Sequence, residues 1–218
     1  MFRIVTGLTM AALAISLFAV TLFVTNLDRG LLNNGTTTTG LAQAQVNLGT
    51  TYVTESGEEV TVDPENTLII QLKNDGLVVI EMLPDLAPVH VRRIKELTRT
   101  GFYDGIVFHR VIDGFMAQTG DPDGTGRGGS GQKLNAEFTE FPFDRGVVGM
   151  ARANQPDSGD SQFFIMFDAG YFLNGQYTVW GRVVSGMEHV DAIKRGGSNG
   201  IVSDPDRMIA ARVLADVL

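Results

Sequence analysis

At 218 residues with 44% hydrophobic content, the chain is large enough for one cored domain plus an appendage. Its formal net charge of −8 excludes a nucleic-acid face, because a duplex binder needs a basic surface. With no cysteine there is no disulfide framework, thiolate nucleophile or thiolate metal site, and only a slight lean towards an oxidising compartment.

Arg3 is followed by residues 4–24, an uncharged run that is apolar apart from Thr and Ser. Such a run reaches the ~20 residues that cross a bilayer and exceeds the ~7–15 of a signal-peptide core. The Ala42-Gln43-Ala44 pattern lies well beyond it, whereas a signal-peptidase site would follow closely. Residues 1–25 are therefore expected to be an uncleaved signal anchor, a transmembrane helix, with removal as a signal peptide the alternative. Arg3 and the terminal amine place the N-terminus in the cytoplasm and the remainder outside. Residues 26–66 are polar and poor in aromatics around Asn33-Asn34-Gly35-Thr36-Thr37-Thr38-Thr39-Gly40, which predicts a flexible linker.

The folded domain is expected over 67–218. Residues 68–73 and 77–83 flank Asn74-Asp75-Gly76, a hairpin signal. Pro88 opens a helix in which Ala87, Val91, Ile94 and Leu97 recur at spacings of four and three; Asp85 precedes it and Gly101 closes it. Strands follow over 106–111, 115–119, 147–151, 162–167 and 178–184, then a second helix over 187–194 and a last strand over 207–216. Many short strands, Gly-rich turns and two isolated helices predict a mainly β fold, a closed antiparallel β-barrel.

Three blocks stand out: Phe108-His109-Arg110-Val111-Ile112-Asp113-Gly114-Phe115-Met116-Ala117-Gln118, Gly149-Met150-Ala151-Arg152-Ala153 and Ser161-Gln162-Phe163-Phe164-Ile165. Alternation puts Arg110 on the side of Phe108, Met116 on the side of Gln118, and Gln162 on the side of Phe164. One permanent cation and two carboxamides above apolar side chains suit a neutral, apolar group that accepts hydrogen bonds. With Leu173-Asn174-Gly175-Gln176-Tyr177-Thr178-Val179-Trp180-Gly181 as a fourth block, the chain from Thr67 onward resembles the cyclophilin-type peptidyl-prolyl isomerases. That resemblance implies an eight-stranded antiparallel barrel capped by two α-helices.

It also implies the site. Arg110 would donate to the prolyl nitrogen, and Gln118 would bond the substrate backbone and help position Arg110. Phe115, Met116, Phe164 and Leu173 match the positions that enclose the proline ring. Ala151, Arg152 and Ala153 match the edge segment that binds the residues before proline, and Gly124 and Gln162 match its lining. Phe172, Tyr177 and Arg152 stand where the best-known eukaryotic members have tryptophan, histidine and asparagine, changes that resemble bacterial members. Phe172 removes an indole N–H those members use to bind cyclosporin.

His109 has no proton to transfer in a bond rotation and is expected to be a hydrogen-bonded structural residue. Gly124-Thr125-Gly126-Arg127-Gly128-Gly129 spells a dinucleotide motif, but no helix start follows it, so a loop is expected. Asp121-Pro122-Asp123-Gly124-Thr125-Gly126 echoes a calcium loop without its closing glutamate or flanking helices. No metal and no cofactor are expected. The expected partners are proline-containing polypeptides and, through the N-terminal segment, a membrane; a monomer is expected, with no nucleic acid. Two functions follow: a tethered isomerase assisting exported proteins in a bacterial periplasm, or a chaperone or adaptor that holds proline segments with incidental turnover.

Overall fold

The structure, a computed structural model, describes residues 49–218. The expected anchor, and the expected linker as far as residue 48, lie outside the described residues. No helix among the described residues is long and apolar enough to cross a membrane.

The linker expectation fails over 49–66. Strands β1 (Thr51–Val53) and β2 (Glu59–Thr61) pair antiparallel, and a 3-10 turn, Pro64–Asn66, leads into the main sheet. Alternate residues of both strands are exposed, so the composition reads as polar. Val62, Val60 and Tyr52 nevertheless pack on Ile69, Val79, Val184 and Leu214, and the Glu55 carboxylate accepts from Arg145 at 2.8 and 2.9 Å.

Eight strands follow: β3 (Thr67–Gln71), β4 (Leu77–Met82), β5 (Arg110–Ile112), β6 (Met116–Thr119), β7 (Val147–Met150), β8 (Phe163–Met166), β9 (Val179–Ser185) and β10 (Ala210–Val213). They form one antiparallel sheet in the order β10-β3-β4-β9-β7-β8-β6-β5, with helices α1 (Pro88–Arg99) and α2 (Met187–Asp191). The expected closed barrel is corrected to a curled, open half-barrel. β10 and β5 are its ends and do not pair with each other. The chain ahead of β10 meets β5 and the residues before it through isolated bridges, Val107 to Arg207 and Arg110 to Ile201, and a few backbone hydrogen bonds such as Phe108 N–H to the Asp206 carbonyl at 2.8 Å. Pro205 has no N–H to give a ladder and Asp204 takes a φ of 52°, so the chain turns before β10 as expected. The last strand, expected over 207–216, shortens to Ala210–Val213, with Leu214–Asp216 forming a 3-10 turn.

The 74–76 hairpin forms as expected, with Gln71 opposite Leu77. Helix α1 starts at Pro88 and is closed by Gly101 at φ 74°. Its cap does not come from Asp85. The Glu137 carboxylate accepts from the N–H of Val89 and His90, both at 3.0 Å, and lies 2.6 Å from His90 Nδ1. A carboxylate at a helix N-terminus satisfies free donors and complements the dipole.

The core is split by strand alternation. Phe163 and Ile165 of β8 join Leu68, Ile80, Trp180 and the inner face of α1, while Phe164 and Met166 join a second cluster with Met116, Phe143, Val147, Leu173 and Val179. Both faces of β8 are therefore covered, and its four residues are all buried. The second cluster carries the candidate site.

Candidate active site

Ladder register builds the site. Arg110 of β5 opposes Gln118 of β6, Gln118 opposes Phe164 of β8, and Phe164 opposes Gly149 of β7. Opposed residues share a sheet face, so four strands set these side chains in one row. Arg110 Nη1 donates to Gln118 Oε1 at 3.4 Å and touches Met116 Sδ at 4.0 Å. Gln118 Nε2 donates to Gln162 Oε1 at 2.9 Å, and Gln162 Nε2 donates to the Gly128 carbonyl at 2.8 Å. A carbonyl can only accept, so this chain fixes both amides with their oxygens towards Arg110. Gln118 thus holds Nη1 by one long bond, Met116 Sδ is that nitrogen's other contact, and Nε and Nη2 have no partner among the described residues.

Beside this polar row lies an apolar floor. Met116, Phe164 and Leu173 are buried, and Phe143, fully buried, stacks on Phe164 at 5.8 Å with an interplanar angle of 22°. Tyr177 meets Phe164 edge-on at 5.8 Å, and Phe115 meets Phe172 at 5.5 Å. Phe172 is 66% exposed, an apolar ring at the rim. Leu173, Phe172 and Tyr171 form a 3-10 turn that Gly170 precedes; its backbone N–H donates to the Phe143 carbonyl at 2.8 Å.

The edge segment is partly committed to the protein itself. The Ala151 N–H donates to the Gln162 carbonyl at 2.9 Å, and the Ala153 N–H donates to Ser158 Oγ at 2.9 Å. The Arg152 N–H and C=O have no partner among the described residues. Its guanidinium lies over the Tyr177 ring at 4.6 Å.

Gly124 is not brought into the polar row; a Cβ there would meet Val107 at 3.0 Å, and φ is 65°. The link between that loop and the row is the Gly128 carbonyl. The loop itself wraps the buried Asp121 carboxylate, which accepts from the N–H of Asp123, Thr125, Gly126 and Gly128 at 2.6–3.2 Å. Burial alone raises the Asp121 pKa, but these donors and the Thr125 hydroxyl outweigh it and hold the group below the usual carboxylate range. The glycines let the backbone approach: a Cβ on Gly128 would lie 2.1 Å from Asp121 Oδ1. The loop expectation therefore holds, with a carboxylate and not a phosphate at its centre.

His109 departs from expectation. It is 4% exposed, yet neither ring nitrogen has a hydrogen-bond partner among the described residues. Burial lowers its pKa, opposed by the Asp121 charge, so the ring is neutral near pH 7. Three site members escape the sequence reading. Phe143 sits in a loop with no strand pattern around it; Gly128 contributes only a carbonyl. Gly149 has one visible signal, a glycine inside a strand, which marks close approach. A Cβ there would lie 2.5 Å from Phe164 Cζ and 2.7 Å from Phe143 Cε1.

Comparison with known proteins gives one family. The model of the cyclophilin type peptidyl-prolyl cis-trans isomerase/CLD family matches residues 67–213. A probable peptidyl-prolyl cis-trans isomerase of Brucella suis is 56% identical over 168 residues, covering 71% of this chain and 85% of the relative. The crystal structure of a cyclophilin from Hirschia baltica is similar with a TM-score of 0.66 and 31% identity, over 72% of this chain and 77% of that one. A Cryptosporidium parvum cyclophilin type peptidyl-prolyl cis-trans isomerase, crystallised in the presence of the dipeptide Ala-Pro, is similar with a TM-score of 0.62 and 29% identity, over 67% of this chain and 98% of that one.

Proposed function

The chain belongs to the cyclophilin-type peptidyl-prolyl cis-trans isomerase family, and on that premise we propose that Arg110 drives X–Pro rotation on proline seated against Phe164, Met116 and Leu173. The supporting observation is the row from Arg110 through Gln118 and Gln162 to the Gly128 carbonyl, beside that apolar floor. Rotating the bond breaks amide conjugation against a barrier of ~18–20 kcal/mol and needs no proton transfer or nucleophile. In the twisted state the prolyl nitrogen regains its lone pair. An uncommitted guanidinium N–H then donates to an acceptor that the planar amide lacks, so the transition state is held more tightly than the ground state. Arginine suits the task because its charge persists at every relevant pH.

One charge-assisted bond contributes ~1.5–3 kcal/mol, about a 10- to 150-fold gain. The twisted amide has less charge separation than the planar one, so the apolar wall favours it further. Phe115 and Phe172 would close the rim, Tyr177 would brace Phe164, and Ala151, Arg152 and Ala153 would carry the chain before proline. The neighbouring loop that includes Gly124 would hold Gln162 through Gly128. The substrates would be exported proteins, with the domain tethered by residues 1–25 on the periplasmic side of a bacterial inner membrane; the apolar run after Arg3 supports this.

The test is isomerisation of a short X–Pro peptide. Arg110→Ala should lower kcat/KM by about 10- to 150-fold while peptide binding persists. A wild-type domain that gives no acceleration would refute the reading.

A further inference from the structure

Ala151 packs on the apolar cluster of the site, and Arg152 follows it directly. The Arg152 guanidinium is held from several directions. Nε donates to the Gln176 carbonyl at 3.0 Å, and Nη1 donates to the carbonyls of Ala153 at 2.9 Å and Asn154 at 3.3 Å. The group also lies 4.6 Å from the Tyr177 centroid and 5.7 Å from that of Phe138. Tyr177 in turn meets Phe164 edge-on at 5.8 Å. A fixed positive charge therefore stands one ring away from the pocket floor.

That charge is unbalanced. Arg99, Arg145, Arg182, Arg195 and Arg212 each meet a carboxylate within 3.0 Å. Arg152 meets none within salt-bridge reach among the described residues, in a chain whose net charge is −8. Its Nη2 makes no hydrogen bond there either. The carbonyls that hold Nε and Nη1 satisfy those donors without neutralising the charge, and Nη2 keeps two N–H groups for an incoming acceptor. Because the side chain is already ordered, a partner carboxylate need not immobilise it.

We propose that Arg152 is a specificity-determining residue, which favours polypeptide segments carrying a carboxylate side chain beside the proline. The inference rests on the isomerase reading of the site and names a class of substrate for it. The pair would remain partly open to solvent, so the effect is modest, about three- to tenfold in kcat/KM.

The experiment compares kcat/KM for blocked X–Pro peptides carrying Glu, Gln or Lys at each of the two positions before the proline and the one after it. Wild type should turn over the Glu peptide about three- to tenfold faster than the Gln peptide at one position, with the Lys peptide slowest. The ratio should approach one near 1 M salt, where the Debye length is ~3 Å. Arg152→Gln should abolish the Glu-to-Gln ratio and Arg152→Lys should keep part of it. A wild-type ratio near one at every position, with the Gln peptide turned over, overturns the inference and leaves the isomerase intact. Equal losses on Glu and Gln peptides in Arg152→Gln also overturn it, since a purely structural role gives that result. Failure of wild type on every peptide overturns the isomerase reading itself, and this inference with it.

Discussion

Gly149→Ala probes the floor of the site with a single methyl group. The glycine does not occupy the left-handed region, so its backbone accepts alanine and only space is at issue. The new Cβ would come to 2.5 Å from Phe164 Cζ and 2.9 Å from Phe164 Cε2 on one side, and 2.7 Å from Phe143 Cε1 on the other. The two rings are stacked at 5.8 Å and are 5% and 0% exposed, so Phe143 is enclosed and Phe164 can yield only towards the proposed proline seat. Overpacking of this kind costs about 1–3 kcal/mol. For a domain of this size that lowers Tm by about 2–12 °C, measured by calorimetry or circular dichroism. Phe164 would tilt towards the proline seat, so kcat/KM on an X–Pro peptide should fall with a raised KM. Phe143→Leu removes the ring atom that crowds one side. The double variant should therefore lose less than the sum of the single losses, by at least about 0.5 kcal/mol. A Gly149→Ala protein with unchanged Tm and kcat/KM, or strict additivity in the double variant, would refute the stacked floor.

Two further outcomes follow from the parts that frame the site. The Glu137 pKa is held below the usual carboxylate range: burial raises it, but His90 and the N–H groups of Val89 and His90 outweigh that, while burial lowers the His90 pKa. For the depressed carboxylate, stability is complete above its unfolded pKa of ~4.3 and is lost as pH falls through the lower folded value; for the depressed imidazole, loss begins below its unfolded pKa of ~6.5. Both act in the same direction, so urea unfolding should show stability falling on acidification from about pH 6.5, and Glu137→Gln should cost about 1–2 kcal/mol at pH 7 while flattening the lowest part of that fall. Removing residues 1–66 should destabilise the domain by at least about 2 kcal/mol relative to removing residues 1–48, because Val62, Val60 and Tyr52 no longer cover Ile69 and Leu214; equal unfolding midpoints would show the hairpin to be unattached.

What could be read in the sequence was what recurs locally. The 3.6-residue spacing of Val91, Ile94 and Leu97 marked α1, and Asn74-Asp75-Gly76 marked the turn between β3 and β4. The Arg110, Gln118 and Gln162 row came chiefly from the motif. Alternation rightly put Met116 with Gln118 and Gln162 with Phe164, but it put Arg110 with Phe108. Phe108 packs in the other cluster, because β5 begins only at Arg110 and the two residues before it are not strand. What could not be read was set by distant partners. The N-terminus of α1 is capped by a carboxylate 47 and 48 residues further along, while the local candidate Asp85 is unused. The hairpin of β1 and β2 gains its order from the sheet it covers, and its own composition gives no sign of that. Phe143 reaches the floor from irregular chain, where no periodicity exists to mark a buried face. Closure of the barrel failed for a related reason: counting strands does not reveal whether the first and last edges will meet in register.

The choice of amide over acid beside Arg110 explains much of the site's design. A carboxylate at the position of Gln118 would bind the guanidinium in a strong, two-pronged pair and engage the donors that rotation requires. A neutral amide at 3.4 Å orients the group while competing weakly for its protons. That amide must itself be kept from flipping, because its NH2 end would repel the cation. Gln162 does this, and the Gly128 carbonyl fixes Gln162 in turn, so under the proposed mechanism the glycine loop around Asp121 would matter to a reaction it never touches. The polarity of the whole row is thus set at the end farthest from the substrate. On the proposed reading, Arg110 would thereby keep its charge available for a nitrogen that becomes basic only midway through the turn.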